Sequence, residues 1–160
     1  YPKADIPVVV VSLHPSMDVD MHLALGKALA PLRDENVLLL GSGYTFHNMR
    51  AMFDSSKSKR ESNMQKARAF NEWLKHTMQP TTTSTTSSTS STSMSRMEAI
   101  KKWKEDAPYA RFVHPKEEHL MPLFVIAAAA GGDDDKTESI YENDHKKNHN
   151  DYPVSGYMFG

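Results

Sequence analysis

The sequence predicts an α/β fold, with a mixed, mostly parallel sheet flanked by helices. Two short runs, 6–13 and 37–40, are almost wholly apolar, and the first is rich in valine, which is typical of strands covered on both faces. A helical pattern lies between them, so 6–40 reads as a strand–helix–strand unit. Such units are right-handed and parallel in nearly all cases. Both strands should therefore end at the same edge of the sheet.

Two helices are predicted in the first half of the chain. The first begins at a cap provided by Asp18 or Asp20 and carries an apolar stripe over 21–32. The second is indicated by apolar residues at helical spacing over 64–78, and Pro80 ends it. The first of these helices is the connection that makes the two strands parallel.

The second half of the chain adds two helices and a closing strand. Ser95 and Glu98 form a capping box, which predicts that a helix begins there. Pro122 fits the first turn of a further helix that runs to about residue 130. That helix is apolar on all sides, so we expect it to be buried. A short strand over 153–159 is predicted to close the fold.

Two polar segments interrupt this order. The segment 79–95 is dominated by threonine and serine, which have nothing to bury, so we predict a disordered insertion. The segment 131–151 is charged and polar, and we predict a mobile loop there. The remaining residues of 1–160 are expected to form part of one domain.

Composition excludes several classes of protein. The 160 residues suit one domain, and 19 basic against 20 acidic residues give no sign of a nucleic-acid partner. The absence of cysteine excludes disulfides and thiolate metal sites. The longest apolar run, 120–130, is too short for a bilayer, and no signal peptide is visible, so we expect no membrane partner and a cytoplasmic location. Because Tyr1 directly precedes strand-like sequence, we interpret the chain as part of a longer or processed polypeptide.

Three histidines follow or precede the most apolar segments. His14 and His47 come just after the two predicted strands, His47 behind the glycine turn 41–43, so both could face one crevice. His119 lies at the entrance of the buried helix. An imidazole at a buried end suits a metal ligand or a general base near neutral pH. Each of the three could instead be a packed, capping or backbone-bonded residue.

The other histidines carry weaker signals. His22 follows the apolar Met21 on the first helix, where a partly exposed helix residue is the simpler interpretation. We expect His76, His145 and His149 at the surface. The glycine turn is not a dinucleotide-binding fingerprint, and HExxH and Walker spacings are absent, so the sequence does not favour a nucleotide-binding domain.

Several blocks resemble one enzyme family in their order and spacing. They are 1–7 (YPKADIP), 26–33 (GKALAPLR), 41–48 (GSGYTFHN), 118–123 (EHLMPL) and 155–160 (SGYMFG). Together they resemble the C-terminal portion of the class III (LigB-type) extradiol ring-cleavage dioxygenases, most of all the DOPA 4,5-dioxygenase-like branch.

The resemblance implies a mixed α/β domain that holds one non-haem Fe(II) or Zn(II) ion. Such enzymes open a catechol ring beside its hydroxyls with O₂, so the expected partners are a small aromatic diol and O₂. By resemblance His47 is the catalytic acid–base residue and His119 is a metal ligand, with Glu118 as an alternative ligand. The resemblance places His22, His14 and Asn48 near the substrate.

The resemblance is incomplete, because the family's other two metal ligands belong to an N-terminal half that has no counterpart here. Two candidate ligands do not make a tight site. We therefore expect the isolated 160-residue chain to bind metal weakly and to be inactive. The exposed sheet edge should also favour self-association. The alternative is a non-catalytic module of the same fold that serves in packing or partner binding.

Overall fold

The computed structural model describes residues 2–79, 95–131, 136–142 and 152–160. The helices in these ranges are α1 (Val19–Leu29), α2 (Met49–Met52), α3 (Lys57–Met78), α4 (Arg96–Lys101), α5 (Trp103–Asp106), α6 (Ala110–Val113) and α7 (Met121–Ala129). A 3-10 helix, Ala30–Glu35, directly follows α1. Two strands, β1 (Thr137–Glu142) and β2 (Ser155–Phe159), complete the elements. None of the described helices is long and apolar enough to cross a membrane.

Helix α1 packs closely against α7. Asp18 caps α1, and its side chain accepts a hydrogen bond from the Met21 backbone N–H at 2.8 Å. A Cβ on Gly26 would collide with the carbonyl oxygen of Val125 and with Ala128. Glycine at this position therefore allows the two helix backbones to approach each other.

The core lies between α3, the short helices α4–α6, and α7. Its largest fully buried side chains include Phe70, Trp103 and Phe124. The Trp103 and Phe124 rings meet edge to face, with centroids 6.1 Å apart. Ser95 caps α4, and its capping box with Glu98 is present as the sequence predicts. Helix α7 begins with proline in its first turn and is buried along most of its length, which also confirms the prediction.

The mixed α/β class is confirmed, but the predicted parallel order of the sheet is wrong for the described residues. Their sheet consists of β1 and β2, which pair antiparallel with Thr137 opposite Phe159. The segments 6–13 and 37–40 contain no strand. A strand requires a neighbour for its backbone hydrogen bonds, and the described part of the chain supplies none to these segments.

The end of the chain follows the sequence in one strand and departs from it in another. Strand β2 confirms the closing strand predicted over 153–159. Strand β1 lies inside 131–151, where the sequence predicted a mobile loop. The residues 132–135 and 143–151 of that loop, with His145 and His149, lie outside the described residues. The threonine and serine run of the predicted insertion lies outside them as well.

Candidate active site

Two loops bring three potential metal-binding side chains together. The ligand atoms of His47, Glu118 and His119 all lie within 4.8 Å of one another, and all three residues are half-buried. The imidazole rings of His47 and His119 are stacked, with centroids 3.5 Å apart and planes inclined by 26°. The structure therefore joins the two histidines that the sequence singled out as catalytic and metal-binding candidates.

Backbone hydrogen bonds hold the two loops in this position. The Tyr44 N–H donates to the carbonyl of His119 at 2.9 Å, and the His47 N–H donates to the carbonyl of Val113 at 3.2 Å. A Cβ on Gly43 would collide with the His119 carbonyl oxygen. Glycine in the turn therefore lets the loop that carries His47 approach the segment that carries His119.

Asn48 strengthens the same junction. Its side-chain Oδ1 accepts from the Ala51 N–H at 2.9 Å and caps α2, while its Nδ2 donates to the carbonyl of Phe112 at 2.6 Å. Both ends of the amide are thus bonded to the backbone. These contacts fix the position of the neighbouring His47. A substrate contact by Asn48 stays a prediction, and these bonds do not favour it.

His114 is a residue that the sequence reasoning missed. Its side chain is fully buried, and Nε2 donates to the carbonyl of Thr45 at 3.1 Å. Its ring packs against Phe70 and Trp103, at centroid distances of 5.3 Å and 6.2 Å. Burial lowers the pKa of His114 to about 4, so the ring is neutral at physiological pH. The only sequence signal was its position directly after the apolar residues 112–113.

An ion cluster holds the segment just before the two candidate ligands. Glu117 contacts Arg111 at 2.7 Å and Lys104 at 3.0 Å. Although burial raises the pKa of Glu117, hydrogen bonds from Lys104 and Arg111 outweigh burial and lower it below its usual value. The carboxylate therefore stays ionised and ties the segment of Glu118 to α5 and α6.

His22 and His14 form a separate pair at the start of α1. His22 is fully buried, which corrects the simpler interpretation of a partly exposed residue. Its Nδ1 donates to the carbonyl of Asp18 at 2.5 Å, and its Nε2 accepts from the backbone N–H of His14 at 3.2 Å. The His14 ring is exposed and bonds the Ser16 hydroxyl at 2.8 Å. Substrate contacts by this pair stay a prediction, which the two occupied nitrogens of His22 do not favour.

The electrostatics of His47 suit proton transfer. Burial lowers the pKa of this ring, the neighbouring His119 lowers it further, and Glu118 acts in the opposite direction. The net pKa lies below the usual value for histidine. His47 is therefore neutral at physiological pH, with a ring nitrogen available to accept a proton or to bind a metal ion.

The contact between the two rings allows two roles at one site. His47, Glu118 and His119 would be able to hold one metal ion, since their ligand atoms lie within 4.8 Å of one another. If His119 and Glu118 held the ion, the stacked ring of His47 would lie beside it as a group that can accept and return a proton.

A cavity of about 240 Å³ adjoins the site between β2, the glycine turn and α7. It is lined by Leu39, Leu40, Gly41, Gly43, Tyr44, Thr45, His119, Leu120, Leu123, Ile126, Ile140, Ser155, Gly156, Tyr157 and Phe159. An apolar cavity of about 150 Å³ is large enough to bind benzene. The space beside His119 can therefore accept one aromatic ring.

Comparison with known proteins gives one family for the entire chain. The family described as "Catalytic LigB subunit of aromatic ring-opening dioxygenase" matches residues 1–160. A 4,5-DOPA dioxygenase extradiol from Beta vulgaris is 35% identical over 129 residues, which is 81% of this chain and 41% of that protein. The dioxygenase tasH from Hapsidospora irregularis is 35% identical over 134 residues, which is 80% of this chain and 38% of that protein.

A solved structure has the same fold. The crystal structure of the uncharacterized protein JW3007 from Escherichia coli K12 matches with a TM-score of 0.70 and 25% identity. The match covers 100% of this chain and 58% of that chain. This chain thus spans about two fifths of the length of the two relatives above, and more than half of the solved structure.

Proposed function

Because the chain belongs to the LigB family of aromatic ring-opening dioxygenases, we propose that it forms part of an extradiol dioxygenase that opens a catechol ring with O₂. The proposal rests on the stacked rings of His47 and His119 beside Glu118. We further propose a DOPA-like catechol as substrate. The support for it is that several relatives are named 4,5-DOPA dioxygenase extradiol.

We propose that His119 and Glu118 hold a single non-haem Zn(II) or Fe(II) ion. Imidazole and carboxylate suit either metal, and the half-buried cluster contains both kinds of ligand. Such an ion, when bound, is a Lewis acid and a template for the two catechol oxygens and O₂. Two ligands do not make a tight site, so we propose that the remaining ligands come from a further portion of polypeptide.

In this proposal His47 is the acid–base residue. A neutral imidazole can accept the proton of a catechol hydroxyl and later return it to the product. The lowered pKa of His47 keeps the ring neutral, and the bonds of Asn48 to Phe112 and Ala51 fix the loop that carries it. The cavity beside His119 would receive the aromatic ring and limit its contact with water.

Metal affinity separates the roles of the two histidines. Titration of the 160-residue chain with Zn(II) should give weak binding, and His119→Ala should weaken it at least tenfold. His47→Ala should change the affinity by less than about threefold, because in this proposal His47 moves protons and does not bind the ion. Equal losses in the two variants would contradict the assignment.

Turnover tests the acid–base role. The chain would be mixed with the portion of the Beta vulgaris relative that lies outside the match, together with Fe(II) and DOPA. Ring opening should appear in the mixture and fall by about 100-fold or more in His47→Gln, which keeps the size of the side chain but not its basicity. Unchanged turnover in this variant would refute the assignment of His47.

The second candidate is a non-catalytic module of the same fold. The small number of candidate ligands favours it, since His47, Glu118 and His119 form the one such cluster within the described residues. A module would bind the missing portion of the family's polypeptide without gaining either tight metal binding or turnover. The mixing experiment distinguishes it from the enzyme.

A further inference from the structure

Two apolar segments of the chain are left uncovered. In the first, Val8, Val9 and Val10 are 82%, 85% and 86% exposed. In the second, Leu38 and Leu40 are 76% and 82% exposed. We propose that the strand-docking surface, defined here as 6–11 and 37–40, binds the remaining portion of a LigB-family polypeptide, which adds strands beside both segments.

Sequence and exposure point to strand addition. Four consecutive valines, 8–11, favour the extended conformation, and successive side chains of an extended segment point to opposite faces. High exposure of Val8, Val9 and Val10 means that both faces of the first segment are open. Neither segment pairs with a strand within the described ranges. Apart from the Val37 N–H, which donates to the Leu32 carbonyl, their backbone groups are available for a further strand. Such an edge binds another extended segment.

The second segment shows on which side the partner lies. Gly41 and Gly43 approach α7 so closely that a Cβ on either would collide with it or with His119. Leu38 has the opposite parity and does not line the cavity beside α7, so in an extended segment its side chain points away from α7. One face is therefore closed by a helix, and the other lacks its covering layer.

The lengths of the matched proteins favour one occupant. The entire chain aligns with the solved structure but covers only 58% of it, and the match covers 41% of the Beta vulgaris relative. The unmatched portion of such a polypeptide is large enough to supply strands and a helical layer. A second copy of this chain would offer the same uncovered segments and the same ligands.

Docking there would also complete the candidate site, a consequence that rests on the proposed function. The segment 37–40 leads through the glycine turn to His47. A parallel strand beside it would end at the same edge, where its side chains could reach Glu118 and His119. Strand addition would thus bring further ligands to the metal.

Binding of the unmatched portion of the Beta vulgaris relative to this chain provides the test. Backbone amide exchange over 6–11 and 37–40 should slow at least tenfold on mixing. Val9→Lys and Leu38→Lys should each weaken binding at least tenfold, since both would bury a charge. Phe53→Lys is the matched control, because Phe53 is 78% exposed but lies outside the strand-docking surface; its binding should stay within about twofold of the unchanged chain.

Binding that is unaffected by both lysine variants would overturn the proposal. So would protection of both segments in a homodimer of the chain without the added polypeptide, measured by light scattering and amide exchange. The proposed function is tested separately from the docking surface. Docking without Zn(II) affinity or turnover would refute the function and keep the surface, whereas turnover in Val9→Lys and Leu38→Lys at the unchanged level would refute the surface alone.

Discussion

The helical layer, formed by α3–α7, and the strand-docking surface both contribute large apolar side chains, but these differ completely in burial. Phe70, Trp103 and Phe124 are fully buried, whereas Val9 and Leu40 are more than four-fifths exposed. A helix satisfies its own backbone hydrogen bonds, so helices close a core with side-chain contacts alone. A strand also needs a neighbouring backbone. Apolar segments therefore mark what is buried in a complete fold. Helices can bury their apolar side chains without a neighbouring backbone, whereas strands cannot.

The largest expected effect lies in the helical layer. Trp103→Ala should lower the free energy of unfolding by about 3–5 kcal/mol, because it opens a cavity among fully buried rings. Urea unfolding of the isolated chain measures this loss. A change below about 1 kcal/mol would show that this layer is not the stable core, and the contrast with the strand-docking surface would fail.

A smaller effect is expected from pH, through the buried His114. Its pKa is about 4 in the folded chain against an ordinary value of 6.5, a fall that corresponds to about 3 kcal/mol. The unfolded chain takes up this proton first. The contribution of His114 to the free energy of unfolding should therefore be fully present above about pH 6.5 and be lost as the pH falls to about 4. The lowered pKa of His47 acts in the same direction.

His114→Gln isolates that contribution, because glutamine can still donate to Thr45 but does not titrate. Urea unfolding at several pH values, with a chelator present, should give a shallower pH dependence in the variant. His76→Gln is the control, since His76 is exposed on α3. An equal pH dependence in the unchanged chain and in His114→Gln would place the titrating group elsewhere.

The predictable parts of the fold are those set by local chemistry. The helical stripe over 64–78 lies within α3, and the capping box of Ser95 and Glu98 starts α4. The meeting of His47 and His119 follows from the family resemblance, which implies that they are the catalytic residue and a metal ligand of one site. Local spacing was sufficient for the helices, and the resemblance was needed for the two histidines.

The unpredicted parts depend on distant contacts. The sequence does not show which strands are present to pair with a given segment. A parallel pairing of 6–13 and 37–40 was therefore predicted, whereas the sheet of the described residues consists of β1 and β2. His114 and His119 occupy similar apolar surroundings in sequence, yet one bonds the carbonyl of Thr45 and the other stacks on His47. Only the position of the loop 44–48 distinguishes them.

The smallest expected effect lies on the strand-docking surface. Val8→Ser should change the free energy of unfolding of the isolated chain by no more than about 0.5 kcal/mol, because an 82% exposed side chain has few contacts to lose. The measurement is urea unfolding of the isolated chain, with Trp103→Ala measured in parallel as the reference. A loss above about 1 kcal/mol would mean that the valine segment is packed in the isolated chain, which would remove the contrast. A negligible loss in the isolated chain, joined to a marked loss once the complementing polypeptide is bound, would show that the same valine changes from exposed surface to core.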